Sequence, residues 1–360
     1  MAAVFRRAKQ LLHPSGRMVV MFNHKMTKAW RALGKALIEA GFEIRTSIPI
    51  HTEAESSLNI RGMDGAKSTI LLLCLPRQDV GQVTGNWGRV QERVATVARN
   101  AAGLFQKQGI SGTDLYLSAL GPALGEVGRH WPITDMAGRA IDLTEALDRA
   151  YRAVGQFRLE QILTEELPAK VGGLAEGFAA DAVDRNTQAL WLWLDTFQGE
   201  VADSDDVRKL AKSLDIEPDA FKRLKLIESE SDLFTLKPPQ GVDLAQLARL
   251  QSGVKVARGR ATREADVWEE RKFPNFLGAA VWNAVSLLAG GDEMHRGVEP
   301  LKQWLRASGY GAMPEFRGSY AVTLHLLEQA FGRRKEDDPW KRATVEARRG
   351  WDLVIRDWRG

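Results

Sequence analysis

Cysteine is almost absent from this chain. Cys74 is the only cysteine among 360 residues, so a disulfide within the chain is impossible and a zinc site built on several thiolates is not expected. Long apolar runs are also missing, since even Thr69–Leu75 is far shorter than the roughly 20 apolar residues that span a bilayer. The N-terminus, Met1–Gln10, has neither the apolar core nor the cleavage site of a secretory signal. We therefore expect a cytoplasmic protein with no membrane partner.

Sequence signatures of metal binding and of nucleophilic catalysis are scarce as well. The six histidines show no spacing typical of metal ligands, and we find no phosphate-binding glycine loop and no readable serine–histidine–aspartate grouping. The eleven tryptophans could stack on nucleic-acid bases. However, Trp191 and Trp193 cannot share one helical face, and Trp282 and Trp304 lie in apolar stripes. We therefore expect these tryptophans to pack in the core.

Positive charge is concentrated near the start of the chain. Residues 1–80 contain 12 Lys and Arg against 6 Asp and Glu, whereas the remainder contains 38 against 40. The whole chain has a net charge of +4 and a pI near 9.1. The basic excess in the first segment is compatible with a polyanionic partner such as DNA.

The first 80 residues have the pattern of an α/β fold. Apolar runs predict strands at Met18–Phe22, Phe42–Ile50 and Ser68–Leu75, and Thr27 can cap a helix between the first two. A polar loop, His51–Lys67, separates the second strand from the third. This is half of a doubly wound sheet, and three such strands cannot bury both faces. We therefore expect that a further segment completes the sheet.

From about Trp87 the pattern is helical almost throughout. We expect a helical region at 81–180, a winged-helix-like module at 181–240 and a helical C-terminal region at 241–360. The module combines three helices, the last near Pro218–Leu224, with a hairpin at Leu226–Leu236. Within 81–180, Thr144 is the candidate cap of a long helix.

Several segments of the chain are similar to one known family. Leu11–Phe22 looks like the approach to the fifth strand of methyltransferases that use S-adenosylmethionine. Phe22–Lys25 and Ile50–Glu53 are similar to the same positions in one group of these enzymes. Further segments, Ala119–Leu124 and Val207–Leu214, extend it. The chain resembles the C-terminal part of the large bacterial adenine-specific DNA methyltransferases that carry an N-terminal domain of unknown function, some of them associated with phage defence. The fold implied is α/β: a partial Rossmann-like methyltransferase sheet followed by a mainly α-helical region with a candidate winged helix.

The family's cofactor-binding and catalytic motifs do not occur in this sequence. No strand is followed by a glycine-rich cofactor loop, and the only double proline, Pro238-Pro239, lacks the acidic or amide residue before it and the aromatic after it. No catalytic or cofactor-binding residue is therefore assigned. The complete enzyme would transfer a methyl group from S-adenosylmethionine to the exocyclic amine of adenine in DNA. We expect this chain to complete the sheet, to bind DNA or a second chain that carries the missing motifs, and to be inactive alone.

The resemblance places the candidate DNA contacts at one edge of the sheet. If the first two strands are parallel and the third is antiparallel, as the family's topology implies, the first strand and the loop after the second present their polar residues at the same edge. We interpret six of them as candidate DNA-binding residues: Asn23, His24, Lys25, His51, Arg61 and Lys67. The alternative is that His24 caps the next helix and that the lysines are simply solvated.

The winged-helix candidate also allows two interpretations. The basic residues between Asp203 and Lys225 are balanced by six acids, whereas a helix that reads DNA normally has a clearer basic face. A packing or protein-interaction module is therefore at least as good an interpretation. The corresponding alternative for the whole chain is a non-enzymatic DNA-binding or assembly adaptor in a restriction-modification or phage-defence system. A third is an unstable fragment whose first strand is an aggregation site.

Overall fold

The computed structural model describes residues 1–13, 15–24, 27–51, 68–77, 84–166, 183–214, 216, 226–239, 277–289 and 297–358. Contacts divide the chain into two compact units. Unit 1 comprises Met1–Arg158 and Asp205–Ser213, and unit 2 comprises Leu159–Ser204 and Leu214–Gly360. The boundary at Arg158 falls inside the segment 81–180, which the sequence analysis treats as one helical region.

The described helices and strands, in chain order, are α1 (Ala2–Leu11), β1 (Met18–Phe22), α2 (Thr27–Glu39), β2 (Phe42–His51), β3 (Ser68–Pro76), β4 (Gly85–Asn86), α3 (Trp87–Lys107), α4 (Gly112–Arg129), β5 (Ile133–Thr134), α5 (Leu143–Gln161), α6 (Arg185–Phe197), β6 (Ala202–Asp203), α7 (Ser204–Ser213), β7 (Ile227–Glu230), β8 (Leu233–Leu236), α8 (Leu277–Ala289), α9 (Val298–Ser308), α10 (Pro314–Phe331) and α11 (Pro339–Gly350). A π-helical turn follows α5 at Ile162–Glu166 and another follows α11 at Trp351–Ile355, and a 3₁₀ turn lies at Tyr310–Ala312.

The main sheet of unit 1 has the strand order β1-β3-β2. Strand β3 pairs antiparallel with both neighbours, so β1 and β2 run parallel to each other. These strand directions are the ones expected, and the bounds of β1 agree with the predicted strand. The register of β2 shifts between Ile44 and Thr46, which marks a β-bulge. The described residues contribute three strands to this sheet, so the wider doubly wound sheet stays a prediction.

One face of this sheet is packed against helices. Alternation along β3 turns Ile70, Leu72 and Cys74 towards that face, where they are buried. The α2 stripe that begins with Trp30 packs there, and the Trp30 indole makes an edge-on contact with the Phe22 ring at a centroid distance of 5.0 Å. Helix α4 packs across β2 on the same side. The apolar stripe of α2, which includes Trp30, Leu33 and Leu37, is therefore its core-facing side.

The opposite face of the sheet is apolar and open in the described part of the chain. Val19 and Met21 on β1 are 59% and 60% exposed, and Ile48 on β2 is 52% exposed. Their partners on β3, Leu71 and Leu73, are only partly buried. Side chains that pair across neighbouring strands lie on the same face, so these five residues form one surface. We call it the open sheet face.

The long helix α5 begins one residue before the candidate cap, so the prediction of Thr144 as its cap is wrong. Asp142 precedes the helix, and its carboxylate accepts hydrogen bonds from the backbone N–H of Thr144 at 2.8 Å and from the Thr144 hydroxyl at 2.5 Å. Aspartate competes well for this position. The side chain of Asp142 also pairs with Arg31 of α2, a partner that no local pattern reveals.

Unit 2 is built mainly of helices around a tryptophan-rich core. Trp191, Trp193 and Trp282 are all fully buried, so the expectation of core packing is confirmed for them. The Trp191 indole donates to the Thr323 hydroxyl at 3.1 Å, and Trp282 packs edge-on against Trp340. Burial of the indole rings against other apolar groups leaves them unavailable for stacking on nucleic-acid bases.

A small sheet in unit 2 has the order β6-β8-β7, with antiparallel pairs. The predicted hairpin at Leu226–Leu236 is confirmed as β7 and β8. Helix α6, strand β6, helix α7 and this hairpin follow one another along the chain in the order of a winged helix, although Asp205–Ser213 of α7 belongs to unit 1. The third helix, expected near Pro218–Leu224, lies outside the described residues, so the winged-helix module stays a prediction.

Candidate functional site

The carboxyl ends of β1 and β2 lie at one edge of the main sheet. In the register, Phe22 faces Ile70 and His51 faces Ser68, near the start of β3. Asn23 and His24, which follow β1, and His51, which ends β2, are therefore brought to the same edge, as the sequence analysis expected. Three of the six candidate DNA-binding residues lie outside the described residues: Lys25, Arg61 and Lys67.

His24 is fixed to the sheet edge by its backbone and its ring. Its carbonyl oxygen accepts a hydrogen bond from the Trp30 indole at 2.9 Å, and its imidazole stacks on the Phe22 ring at a centroid distance of 6.3 Å. The side chains of Asn23 and His24 are both exposed. This edge therefore presents two polar side chains to solvent on a backbone that a buried tryptophan holds in place.

A small cavity lies beside this edge, where α2 begins. Its volume is about 200 Å³, and three segments of unit 1 meet around it. It is lined by Thr27, Lys28, Arg31, Thr144, Asp148, Arg208 and Lys209. We call it the α2 pocket.

Sequence reasoning did not find the α2 pocket. It treated Arg208 and Lys209 as part of the winged-helix candidate, where nearby acids balance their charge. The pocket joins them to Lys28 and Arg31, which lie far away in the sequence. No motif or spacing connects two segments that meet only through the tertiary fold. The basic excess of residues 1–80 was the one signal that pointed to this part of the chain.

Lys209 is the most buried cation of the α2 pocket. Only 5% of the residue is exposed. Its ammonium lies 3.6 Å from the Asp206 carboxylate, which is also buried, and 5.7 Å from the centroid of the Tyr151 ring. Both contacts hold the ammonium in this position. Lys209 is thus a positive charge held in one position.

Arg31 is held in a similar way by the cap of α5. Its guanidinium donates to the Asp142 carboxylate at 2.6 Å. Burial raises the pKa of Asp142, but hydrogen bonds from Thr144 and from Arg31 outweigh it and lower this pKa from 3.8 to about 2. Asp142 is therefore ionised at neutral pH and keeps the guanidinium at the pocket wall.

Thr27, at the start of α2, is the one lining residue whose hydroxyl is left without a partner. The residue is 3% exposed, and its hydroxyl makes no hydrogen bond in the part of the chain that the structure describes. Buried hydroxyl groups are normally hydrogen-bonded. An unsatisfied donor at a cavity wall marks a position where a ligand oxygen could bind.

A second cavity, in unit 2, has a volume of about 580 Å³. Two arginines, two glutamates and several aliphatic side chains line it. The charges balance, and none of its lining atoms is a buried polar group without a partner in the described residues. It therefore defines no ligand chemistry.

Other kinds of site are not found in the described residues. They contain no group of three or more His, Cys, Asp or Glu side chains that could hold a metal ion. Among the helices described, none has the length and apolar content needed to cross a membrane.

No protein-family profile, no curated protein and no solved structure matches this chain.

Proposed function

We propose that this chain is the C-terminal component of an adenine-specific DNA methyltransferase that uses S-adenosylmethionine. In this proposal it contributes three strands and their helical layer to a larger sheet. A second segment or chain contributes the strands beside β1, the cofactor loop and the catalytic motif. The chain alone transfers no methyl group, and we place the assembly in the cytoplasm.

The open sheet face is the observation that carries this proposal. Val19, Met21 and Ile48 expose apolar side chains on a face that a doubly wound fold would cover with helices. In addition, β1 pairs with β3 on one side only within the described residues, so its other edge can accept a further strand. An open apolar face next to an available strand edge is what half of an α/β sheet presents.

The sheet edge would then be the place where DNA meets the assembly. Ligands of open α/β sheets bind outside the carboxyl ends of the parallel strands, and Asn23, His24 and His51 lie at that edge. With Lys25, Arg61 and Lys67 they form the proposed DNA contact. The lysines and the arginine would bind phosphate, and Asn23 or His24 would support the pocket of the flipped base.

The test begins with the nucleotide sequence upstream of the Met1 codon. We expect a reading frame that encodes a glycine-rich strand-turn and an acid-or-amide, Pro-Pro, aromatic motif. Co-expression of the two chains should give a complex that transfers labelled methyl groups from S-adenosylmethionine to adenine in DNA. Methyl incorporation by the present chain alone would refute the proposal, as would the absence of any such frame within about one domain's length.

Substitutions on the open sheet face make this test specific. Val19→Lys and Met21→Lys should prevent complex formation and methyl transfer, because each places a charge where the second segment would pack. The matched control is Leu104→Lys on α3, which changes an apolar side chain of similar exposure (56%) in the same unit. Equal methyl transfer by all three variants would show that the open sheet face is not the contact surface.

The order of elements around the hairpin favours a second candidate, a non-enzymatic DNA-binding or assembly adaptor. Helix α6, strand β6, helix α7 and the β7–β8 hairpin follow the winged-helix outline, which many proteins use to bind DNA without catalysis. An adaptor should bind DNA with strong salt dependence and without any effect of S-adenosylmethionine. A dependence of DNA affinity on the cofactor in the assembled complex would favour the methyltransferase instead.

A further inference from the structure

We infer that the α2 pocket binds a phosphate group, and that its physiological source is a phosphodiester of the DNA backbone. The choice of DNA as the source rests on the proposed function, whereas the phosphate chemistry rests on the pocket alone. None of the residues that line this pocket belongs to the six candidate DNA contacts at the sheet edge.

The position of the α2 pocket at a helix N-terminus favours an anion. Helix α2 has 13 residues and begins at Thr27, which lines the cavity. The first N–H groups of a helix have no partner within it, and the helix dipole adds partial positive charge at this end. Phosphate groups bind at such termini because both effects act on the same oxygens.

The buried Thr27 hydroxyl supplies a second and independent indication. Thr27 lines the cavity, and its buried hydroxyl has no hydrogen-bond partner among the described residues. A phosphate oxygen can accept the hydrogen bond that this hydroxyl is able to donate. Binding would therefore satisfy a polar group that the protein otherwise leaves without a partner.

The charges around the pocket favour an anion. Four cations line the cavity, Lys28, Arg31, Arg208 and Lys209, against the single carboxylate of Asp148. Arg31 and Lys209 are paired with Asp142 and Asp206, and Lys28 adds an exposed charge at the start of the helix. A phosphate group therefore meets an excess of positive charge among the lining residues.

The size and position of the cavity agree with a single phosphate group. Its volume of about 200 Å³ is below the roughly 300–1,000 Å³ of pockets that enclose a drug-sized ligand. It is therefore better suited to one phosphate than to a whole nucleotide. Helix α2 follows Asn23 and His24 in the chain, so a backbone phosphate in the pocket would lie close to the proposed DNA contact at the sheet edge.

Two substitutions in the full-length chain test the inference by fluorescence anisotropy with a labelled DNA duplex. Lys28→Gln removes an exposed charge, and Thr27→Val removes the hydroxyl while keeping the side-chain shape. Each should weaken binding by roughly 3- to 10-fold, and Lys28→Gln should lower the slope of log affinity against log salt by about 0.9. Because the Thr27 hydroxyl has no partner in the described residues, Thr27→Val should leave the thermal midpoint unchanged.

The matched controls lie on the surface of the same unit. Lys35→Gln makes the same charge change on the outer side of α2, where Lys35 pairs with Glu39. Thr96→Val makes the same hydroxyl change on α3, where the Thr96 hydroxyl donates to a carbonyl of its own helix. Both controls should bind the duplex as the unchanged chain does. A loss of binding in the controls equal to that in the pocket variants would overturn the inference.

Inorganic phosphate, followed by titration calorimetry, distinguishes the sources. If phosphate binds and Thr27→Val abolishes that binding, while duplex affinity does not respond to either pocket variant, the ligand is a free phosphate group and the DNA source is refuted. If neither probe responds to the pocket variants, the whole inference is refuted. These experiments need only the present chain, so failure to find a methyltransferase partner would not change their outcome.

Discussion

Asp184 joins the beginnings of two helices in unit 2. Its carboxylate caps α6 by accepting the Thr187 N–H at 2.9 Å, and it also accepts the first N–H of α8, that of Leu277, at 2.9 Å. The Thr187 hydroxyl donates to Asp184 at 2.6 Å and accepts the next N–H of α8, that of Gly278, at 2.7 Å. These N–H groups have no partners within their own helices. Asp184→Ala should therefore destabilise unit 2 by more than a simple loss of a cap.

The size of the effect follows from the two roles of the carboxylate. Loss of an aspartate cap costs about 0.5–2 kcal/mol, and loss of a hydrogen bond to a charged acceptor costs about 1.5–3 kcal/mol. Burial raises the pKa of Asp184, so desolvation of the carboxylate offsets part of this sum. We expect Asp184→Ala to lower the free energy of unfolding by about 2–3 kcal/mol. Thr187→Val should cost about 1–3 kcal/mol, because it leaves the buried N–H of Gly278 without an acceptor.

Urea unfolding followed by tryptophan fluorescence measures these changes, because seven of the ten tryptophans among the described residues lie in unit 2. The double variant should lose less than the sum of the single losses, with a coupling energy of about 0.5–3 kcal/mol. The control is Asp338→Ala, which removes the cap of α11 but no bond to the start of a second helix, and it should cost about 0.5–2 kcal/mol. Equal losses for Asp184→Ala and Asp338→Ala, or strict additivity with Thr187→Val, would refute the reasoning.

Three further predictions concern unit 1. A Cβ on Gly125 would clash with the backbone oxygen of Ile44, so Gly125→Ala should destabilise the unit by about 1–3 kcal/mol. A Cβ on Gly128 would make only an ordinary contact, at 3.5 Å from the Ile38 side chain. Gly128→Ala should therefore stabilise α4 by about 0.5–1 kcal/mol in the same urea experiment. Burial raises the pKa of the Cys74 thiol to about 12, so a thiol reagent at pH 8 should label Cys74 only after unfolding, and rapid labelling of the native chain would contradict its position in β3. The pKa of Asp142 is lowered from 3.8 to about 2, so its contribution is present above pH 3.8 and is lost as the pH falls towards 2. Since the Asp142 side chain is 44% exposed, Asp142→Asn should cost less than about 1 kcal/mol at pH 6, and a difference in thermal midpoint that persisted at pH 2 would refute the assignment.

The strands and helices of the first 80 residues could be predicted because their signals are local. In the sequence, the apolar run Met18–Phe22 is preceded by Pro14-Ser15-Gly16 and followed by Asn23-His24, and these neighbours limit both of its ends. The stripe that begins with Trp30 has the period of a helix and ends before Gly41, which has the positive φ of 80° that glycine adopts easily. Periodicity and turn residues act over a few positions, so the sequence alone contains this information.

The helix cap and the α2 pocket could not be predicted, because they depend on contacts between distant segments. Asp142 and Thr144 are both good capping residues, so the local sequence offers two candidates, and the ion pair that Asp142 makes with Arg31 of another helix is not visible in it. Arg208 and Lys209 are neutralised by acids along the sequence, yet the fold places them beside Lys28. Sequence neighbours determine local charge balance, whereas ligand binding depends on spatial neighbours.

The alternation of side chains along β1 makes the two proposals separable by experiment. Val19 and Met21 point to the open sheet face, whereas Phe22 points to the side where Trp30 and therefore α2 are packed. A second segment that covers the open sheet face would thus approach from the side opposite to α2. Val19→Lys should abolish methyl transfer by the assembled complex and leave DNA affinity of the isolated chain unchanged, whereas Thr27→Val should weaken DNA affinity and leave complex formation intact. If both variants lost both properties together, the open sheet face and the α2 pocket could not be treated as independent sites.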